Sequence, residues 1–217
     1  MASAGLEILG IILAVAGWLG SMVACCLPMW RVAAYVGQNI VITQVVWEGL
    51  WMSCVVQSTG QMHCQIYDSM LALSSDLQAS RALVVIAVFV GVVAMALSVA
   101  GAKCTNCTSD PTNKPRIMLG AGAAFASTGL LLLIAVCWTA YTIVLDFHDP
   151  MLQDTQKREF GNSLYFGWGA SCVLILGGAI LSCSCNSRAT KDAGSAGAQY
   201  SVVKSVAANG YCRRDYV

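Results

Sequence analysis

Long stretches of this chain contain no charged residue. Four of them are long enough to cross a membrane: the residues between Glu7 and Arg31, and 82–102, 117–145 and 160–187. Each exceeds the roughly 20 residues, at about 1.5 Å rise per residue, that an α-helix needs to span a hydrocarbon core of about 30 Å. The pattern therefore predicts four transmembrane helices, at 8–28, 82–102, 117–140 and 161–182.

A fifth charge-free stretch, residues 32–47, is predicted to form β-strands. It is short and includes the polar residues Gln38, Asn39 and Gln44, which makes it unsuited to the bilayer. Its content of Val, Ile, Tyr and Trp is typical of strands. We therefore expect a small β-sheet in the segment 29–81, between the first two helices.

The composition agrees with a membrane protein. Hydrophobic residues make up 57% of the 217 positions, charged residues 11%, and the mean hydropathy is +0.67, which is too apolar for an ordinary soluble domain. The net charge of +1 gives no sign of nucleic-acid binding. Apart from cysteine thiols, the interiors of the four predicted spans contain no ionisable residue, so the sequence gives no support to a transporter or proton relay.

The distribution of basic residues predicts the orientation. Three lie in the short loop 103–116 and five in the tail 183–217, whereas the segments 29–81 and 141–160 hold two each. By the positive-inside rule, both termini and the short loop are cytoplasmic and the other two segments face outward. Residues 1–7 contain no Lys or Arg, so we expect the first apolar stretch to be a retained span and not a cleaved signal peptide.

Of the eleven cysteines, only Cys54 and Cys64 lie in the segments predicted to face outward. In an oxidising compartment such a pair has one intrachain partner choice, so we expect a disulfide bond. The residues between them favour a β-hairpin, with 55–57 and 61–63 as its arms and Ser-Thr-Gly at 58–60 as its turn. The bond would then join two neighbouring strands, a link worth about 2–4 kcal/mol in the chain-entropy picture.

Four other cysteines lie at the predicted cytoplasmic edge of the membrane: Cys104, Cys107, Cys183 and Cys185. We expect palmitoylation at these positions, which would anchor both edges in membrane lipid. Two alternatives stay open. The C-x-x-C pair at 104–107 is similar to that of membrane thiol oxidoreductases, although such enzymes need their active cysteines on the oxidising side. The same four thiols have the number of ligands that a zinc site requires.

The sequence contains no recognisable catalytic constellation. His63 and His148 lie in different outward segments without a matching serine, and the outer cysteines are expected to be bonded to each other. We expect both histidines to be solvated surface residues. The chain is therefore predicted not to be an enzyme and to need neither a cofactor nor a metal.

One pattern in the first outward segment resembles a known family. The match to the claudin signature W…GLW…C…C, with the arginine that follows it, rests on Trp30, Gly49, Leu50, Trp51, Cys54, Cys64 and Arg81. The likeness covers nearly the whole chain, because the four spans and the long first and short second outer loops also agree. Within the family, the sequence is similar to the epithelial branch that includes receptors of a bacterial enterotoxin.

The resemblance implies an all-α membrane protein, a left-handed four-helix bundle that carries a small extracellular antiparallel β-sheet. Four strands would come from the first loop and one from the second. It also implies a structural protein of tight junctions in the plasma membrane, which polymerises with claudins of its own cell and pairs with those of the opposing cell. An alternative is a channel auxiliary subunit resembling the calcium-channel gamma family, but the loop 29–81 lacks the glycosylation sites usual in those chains.

The resemblance further implies roles for individual residues. For lateral assembly, Met70 is expected to insert into a groove of the neighbouring molecule that is lined by Phe147 and Phe160. Ion selectivity is expected to depend on charged and neutral positions of the first loop, namely Arg31, Glu48, Gln65 and Asp68. Because Gln65, directly after the second cysteine, is neutral, a barrier is favoured over a strongly selective channel.

Two further partners are implied. The enterotoxin-binding loop of related claudins corresponds to Asp149, Pro150, Met151 and Leu152, and we expect weaker binding because Asp149 replaces an amide with a carboxylate. A free carboxylate with an apolar last side chain suits a PDZ domain of a junctional scaffold protein. The residues in that position are Asp215, Tyr216 and Val217.

Overall fold

The computed structural model describes residues 2–36, 43–57, 60–69, 73–101, 114–148 and 158–184. Within these ranges the chain forms four long helices, each long and apolar enough to cross a membrane. This confirms the predicted number of spans. The helices are α1 (Ala2–Cys26), α2 (Ser75–Gly101), α3 (Lys114–His148) and α4 (Asn162–Ser184).

Helices α2 and α3 extend beyond their predicted spans into the predicted outer segments. Helix α2 begins at Ser75, before the charge-free stretch, and α3 continues to His148, beyond it. The physical reason is that charge is excluded from the bilayer and not from helices. Asp76 lies in the first turn of α2, where a negative charge interacts favourably with the helix dipole.

The last turns of α3 lie at the end of the bundle that carries the sheet. Trp138 and Tyr141 are exposed on α3 and Tyr165 on α4, and such aromatic side chains are enriched where a bilayer meets water. From this level, residues 142–148 continue as helix for about 10 Å. We call this segment the overhang.

A five-stranded antiparallel sheet lies beside the overhang. Its strands follow the spatial order β4-β3-β2-β1-β5. Four strands come from the first predicted loop and one from the second, as expected. They are β1 (Arg31–Val36), β2 (Thr43–Glu48), β3 (Met52–Val56), β4 (Met62–Ile66) and β5 (Arg158–Phe160).

The disulfide bond between Cys54 and Cys64 is present and joins β3 to β4. The two cysteines lie directly opposite each other in the register, with their Cα atoms 4.0 Å apart. All five residues of β4 are exposed, so little burial holds this strand in place. The hairpin turn contains Gly60, whose φ of 79° favours glycine. The bond thus ties the outermost strand to the rest of the sheet.

Small residues set the spacing of the helices in the bundle. A Cβ atom on Gly177 would lie 2.7 Å from the backbone nitrogen of Ala14 in α1, and one on Gly178 would lie 2.7 Å from that of Ala126 in α3. The backbone of helix α4 therefore comes close to the backbones of two other helices. In a bilayer the hydrophobic effect does not drive helices together, so close packing of this kind stabilises their association.

Helices α2 and α3 are also joined by a buried pair of hydroxyl groups. The Oγ atoms of Ser80 and Thr139 are 2.8 Å apart, within hydrogen-bonding distance. Such bonds between membrane helices contribute about 0.6–2 kcal/mol. Thr139 lies one helical turn before Thr142, which contacts Arg31 of β1, so the pair joins the two helices near the end of the bundle that carries the sheet.

Helix α2 has a notch at Gly91 that receives a tryptophan of α1. The ring of Trp18 occupies the space where a Cβ on Gly91 would project, and its Nε1 donates to the carbonyl oxygen of Val88 at 3.3 Å. We expect Gly91→Ala to force this ring out and to lower the free energy of unfolding by about 1–3 kcal/mol. Thermal unfolding of the solubilised protein would measure the loss.

The matched control is Gly120→Ala in α3, where a Cβ would meet nothing within 4 Å. Because alanine favours helix over glycine by about 1 kcal/mol, this variant should unfold at the wild-type temperature or slightly above it. Equal melting temperatures for the two variants would contradict the role given to the notch.

Candidate functional site

Trp30 connects the end of α1 to the start of the sheet. Its side chain is fully buried, and its indole Nε1 donates to the carbonyl oxygen of Ala24 at 2.9 Å. The last carbonyls of a helix have no partner within the helix, so this bond satisfies one of them. The backbone nitrogen of Trp30 in turn donates to the carbonyl oxygen of Glu48, at the end of β2.

The turn between β2 and β3 packs directly onto the end of α1. Gly49 has no room for a side chain, because a Cβ there would collide with the backbone of Pro28. Leu50 is fully buried, and the Nε1 of Trp51 donates to the Sγ of Cys25 at 3.4 Å. The glycine and the tryptophan of the GLW triplet thus contact the end of α1, and the leucine is buried in the core.

Arg81 of α2 also contacts this junction between the sheet and the bundle. Its guanidinium carbon lies 3.9 Å from the centre of the Trp51 ring, which is a cation–π contact. The structure therefore brings the five non-cysteine residues of the sequence signature together at the junction between sheet and bundle. We call them the seat of the sheet: Trp30, Gly49, Leu50, Trp51 and Arg81.

Tyr67, which follows β4, covers the seat from the other side. Its hydroxyl donates to the carbonyl oxygen of Gly49 at 3.3 Å. Burial, with a smaller contribution from the negative charge of Glu48, raises the pKa of Tyr67 to about 12. The phenol consequently stays protonated at physiological pH and keeps its hydrogen bond.

Arg31 lies beside the seat and is buried, with 1% of its surface exposed. One Nη atom donates to the Oγ of Ser74 at 3.2 Å, and the other donates to the Oγ1 of Thr142 at 2.8 Å and lies 3.7 Å from a carboxylate oxygen of Asp76. The first residue of β1 is thereby joined to the start of α2 and to the overhang of α3.

The surroundings of Arg31 include some features that disfavour its positive charge and others that favour it. Burial lowers the pKa of Arg31, and the nearby positive charge of Arg158 adds to this effect. The carboxylates of Glu48, Asp76 and Asp146 act in the opposite direction. Since an arginine does not lose its proton in a protein, the cost of burying it has to be offset by these partners.

The residues expected to control ion selectivity differ in exposure. Arg31 is buried, and Glu48 is half-buried with a carboxylate oxygen 3.6 Å from a guanidinium nitrogen of Arg158. Gln65 and Asp68 are exposed. Of the four candidates, only Gln65 and Asp68 expose their side chains.

A groove of about 330 Å³ lies between the overhang and β5. Phe147 and Phe160 stand on its opposite sides and are 49% and 37% exposed. The structure thus brings together the two phenylalanines that the resemblance assigned to lateral assembly, whereas Met70 lies outside the described residues. The full lining of the groove comprises Ile143, Val144, Phe147, His148, Arg158, Glu159, Phe160 and Tyr165.

The remaining candidate residues lie partly within and partly outside the described ranges. His63 is exposed, and so is His148, whose Nδ1 lies 2.9 Å from the carbonyl oxygen of Val144. Cys183 is exposed at the end of α4, and no cluster of three or more His, Cys, Asp or Glu is found within the described ranges. Outside those ranges lie Cys104, Cys107, Cys185, Asp149, Pro150, Met151, Leu152, Asp215, Tyr216 and Val217.

Comparison with known proteins gives one consistent result. Residues 4–181 match the model of the PMP-22/EMP/MP20/Claudin family. The chain is 53% identical to human Claudin-4 over 97% of its own length and 100% of that protein. It is 50% identical to human Claudin-6 over the whole of both chains. A Danio rerio relative, Claudin-like protein ZF-A89, is 56% identical over 85% of this chain and 89% of its own.

The geometry around Arg31 predicts that lysine cannot replace it. A lysine ammonium is a single point and cannot reach Ser74 and Thr142 together, as the two Nη atoms do. We expect Arg31→Lys to lower the free energy of unfolding by on the order of 3 kcal/mol. Surface biotinylation should show most of the variant retained inside the cell.

The control is the same substitution at an exposed arginine of a helix end, Arg116→Lys in α3. It should reach the surface at the wild-type level. Normal delivery and stability of Arg31→Lys would mean that the forked contact is dispensable.

Proposed function

Because this chain belongs to the claudin family, we propose that it seals the space between cells as a barrier and does not act as a strongly selective ion channel. It is a multi-pass membrane protein of the tight junction with a structural role, as the family and its relatives show. The barrier function is our proposal.

The absence of charged residues from the outermost strand of the sheet supports a barrier. In a narrow aqueous path, selectivity comes from a few fixed charges at the constriction. Strand β4, the outermost strand, has the sequence MHCQI and contains no Asp, Glu, Lys or Arg. The charges of Arg31 and Glu48 are engaged within the protein, and Gln65 is exposed and neutral, so Asp68 is the one of the four selectivity candidates that exposes a charge.

A charge placed at Gln65 tests the barrier proposal. We expect Gln65→Lys to favour anions and Gln65→Asp to favour cations, because each would put an exposed charge where the wild type has none. Dilution potentials across an epithelial sheet measure the permeability ratio.

The neutral control is Gln65→Asn, which should leave the permeability ratio unchanged. If both charged variants also leave it unchanged, Gln65 does not face the ion path. A strong ion preference in the wild type would refute the barrier itself.

Two surfaces support lateral assembly with further copies. Phe147 and Phe160 present apolar rings at the groove, where a flexible side chain such as that of Met70 fits a concave site of this size. On the far side of the sheet, no strand of the described part of the chain lies beyond β4, and its residues Met62 and Ile66 are exposed. An edge of this kind lacks the charges that normally prevent strands of two molecules from pairing.

Substituting Met70 tests this mode of assembly. A carboxylate in an apolar groove would lose its hydration without a partner, so we expect Met70→Asp to abolish strands in freeze-fracture images while the protein still reaches the cell surface. The control Met70→Leu keeps an apolar side chain of similar volume and should keep the strands. Strands of normal length with Met70→Asp would exclude the insertion of this residue.

The remaining interactions are proposed on the sequence alone. We propose that both termini are cytoplasmic, and that the tail binds PDZ scaffold proteins through Asp215, Tyr216 and Val217. The loop with Asp149, Pro150, Met151 and Leu152 would pair with the opposing cell and bind the bacterial enterotoxin weakly. Palmitoyl groups would attach at Cys104, Cys107, Cys183 and Cys185.

A further inference from the structure

The two walls of the groove belong to different parts of the fold. Phe147 is carried by the overhang of α3, and Phe160 by β5, a strand of three residues. Among the described residues, strand β5 pairs only with β1, at the edge of the sheet. The width of the groove therefore depends on what holds β5 against the overhang.

Arg158, the first residue of β5, contacts both sides. Its Nη1 lies 3.7 Å from Oδ2 of Asp146, which directly precedes Phe147 on the overhang. Its Nη2 lies 3.6 Å from Oε1 of Glu48 on β2. One planar guanidinium thus bridges the helix and the sheet, using a different nitrogen for each carboxylate.

We propose that Arg158 is a positioning residue for lateral assembly, which sets the width of the groove by holding β5 between Asp146 and Glu48. This proposal rests on the role given to the groove above. Arg158 itself lines the groove, so the same side chain forms part of the wall and fixes it in place.

The exposure of the three side chains separates this role from that of Arg31. Arg158, Glu48 and Asp146 are 28%, 23% and 38% exposed, so water can solvate each of them when its partner is removed. Only 1% of Arg31 is exposed, so water cannot solvate its charge when a partner is removed. Loss of an Arg158 pair should therefore leave the protein folded and change the distance between Phe147 and Phe160, whereas loss of the Arg31 contacts should affect folding.

A double-mutant cycle in the full-length chain tests the proposal. Asp146→Asn, Arg158→Gln and the double variant would be expressed in cells that make no other claudin, and energy transfer between tagged copies would report lateral association at equal surface levels. We expect about a two- to fivefold loss for Asp146→Asn, the range typical of partly exposed ion pairs. Arg158→Gln should lose at least as much, and the double variant no more than Arg158→Gln alone.

Three results would overturn the proposal. Normal association of Asp146→Asn with loss in Arg158→Gln would show that the pair between Arg158 and Asp146 does not position the groove. Independent, multiplying losses in the double variant would show that the two residues do not act as a pair. Normal association of all three variants would show that the groove needs no positioning. The control Arg116→Gln, on the exposed opposite end of α3, should associate normally.

Salt dependence adds a measurement that general loss of stability would not imitate. Between 0.15 and 1 M salt the screening length falls from about 8 to about 3 Å, so association of the wild type in lipid vesicles should weaken through loss of the Arg158 pairs. Asp146→Asn also removes a carboxylate that favours the charge of Arg31, so association is measured well below its melting temperature, where this variant should show a smaller salt effect than the wild type. An equal salt effect in both proteins would contradict the proposal.

Met70→Asp in the same assay separates this proposal from the proposed function. If Met70→Asp associates normally, the groove is not the lateral contact and the proposed assembly fails. If Met70→Asp loses association and Asp146→Asn does not, the assembly stands and the role of Arg158 is refuted.

Discussion

The charge of Arg31 can be buried only where three distant parts of the chain meet. A guanidinium removed from water costs several kcal/mol unless oxygen atoms replace its hydration. Here they come from Ser74 and Asp76 at the start of α2 and from Thr142 on the overhang of α3. Because Arg31 is the first residue of β1, the sheet can occupy one position on the bundle and no other without leaving this charge unpaired.

The seat and the ion pairs of Arg158 also hold the sheet in place. Towards the membrane, Trp30 and Trp51 bind the end of α1, and Arg81 binds Trp51 from α2. Towards the surface, Arg158 connects β5 to the overhang. The buried contacts hold the fold, whereas the partly exposed ones shape the surface that meets other molecules.

The sequence predicted the features that depend on exclusion from the bilayer. Charge-free stretches gave the number of helices, and the location of Cys54 and Cys64 outside the spans gave the disulfide bond. Helix ends were less predictable, because a charge such as that of Asp76 marks the limit of the charge-free stretch and can still lie within the helix. The burial of Arg31 could not be foreseen, since Thr142 is 111 residues away and a count of charges treats every one as exposed.

Hydrogen exchange of the wild-type protein in lipid nanodiscs tests most directly whether Arg31 joins sheet and bundle into one unit. If it does, the amides of β1, of the first turn of α2 and of residues 142–148 should open together, with one common free energy. The overhang would then be as well protected as the sheet. Much faster exchange at 142–148 than in β1 would contradict the account, because it would show that the overhang frays without disturbing the strand it is thought to hold.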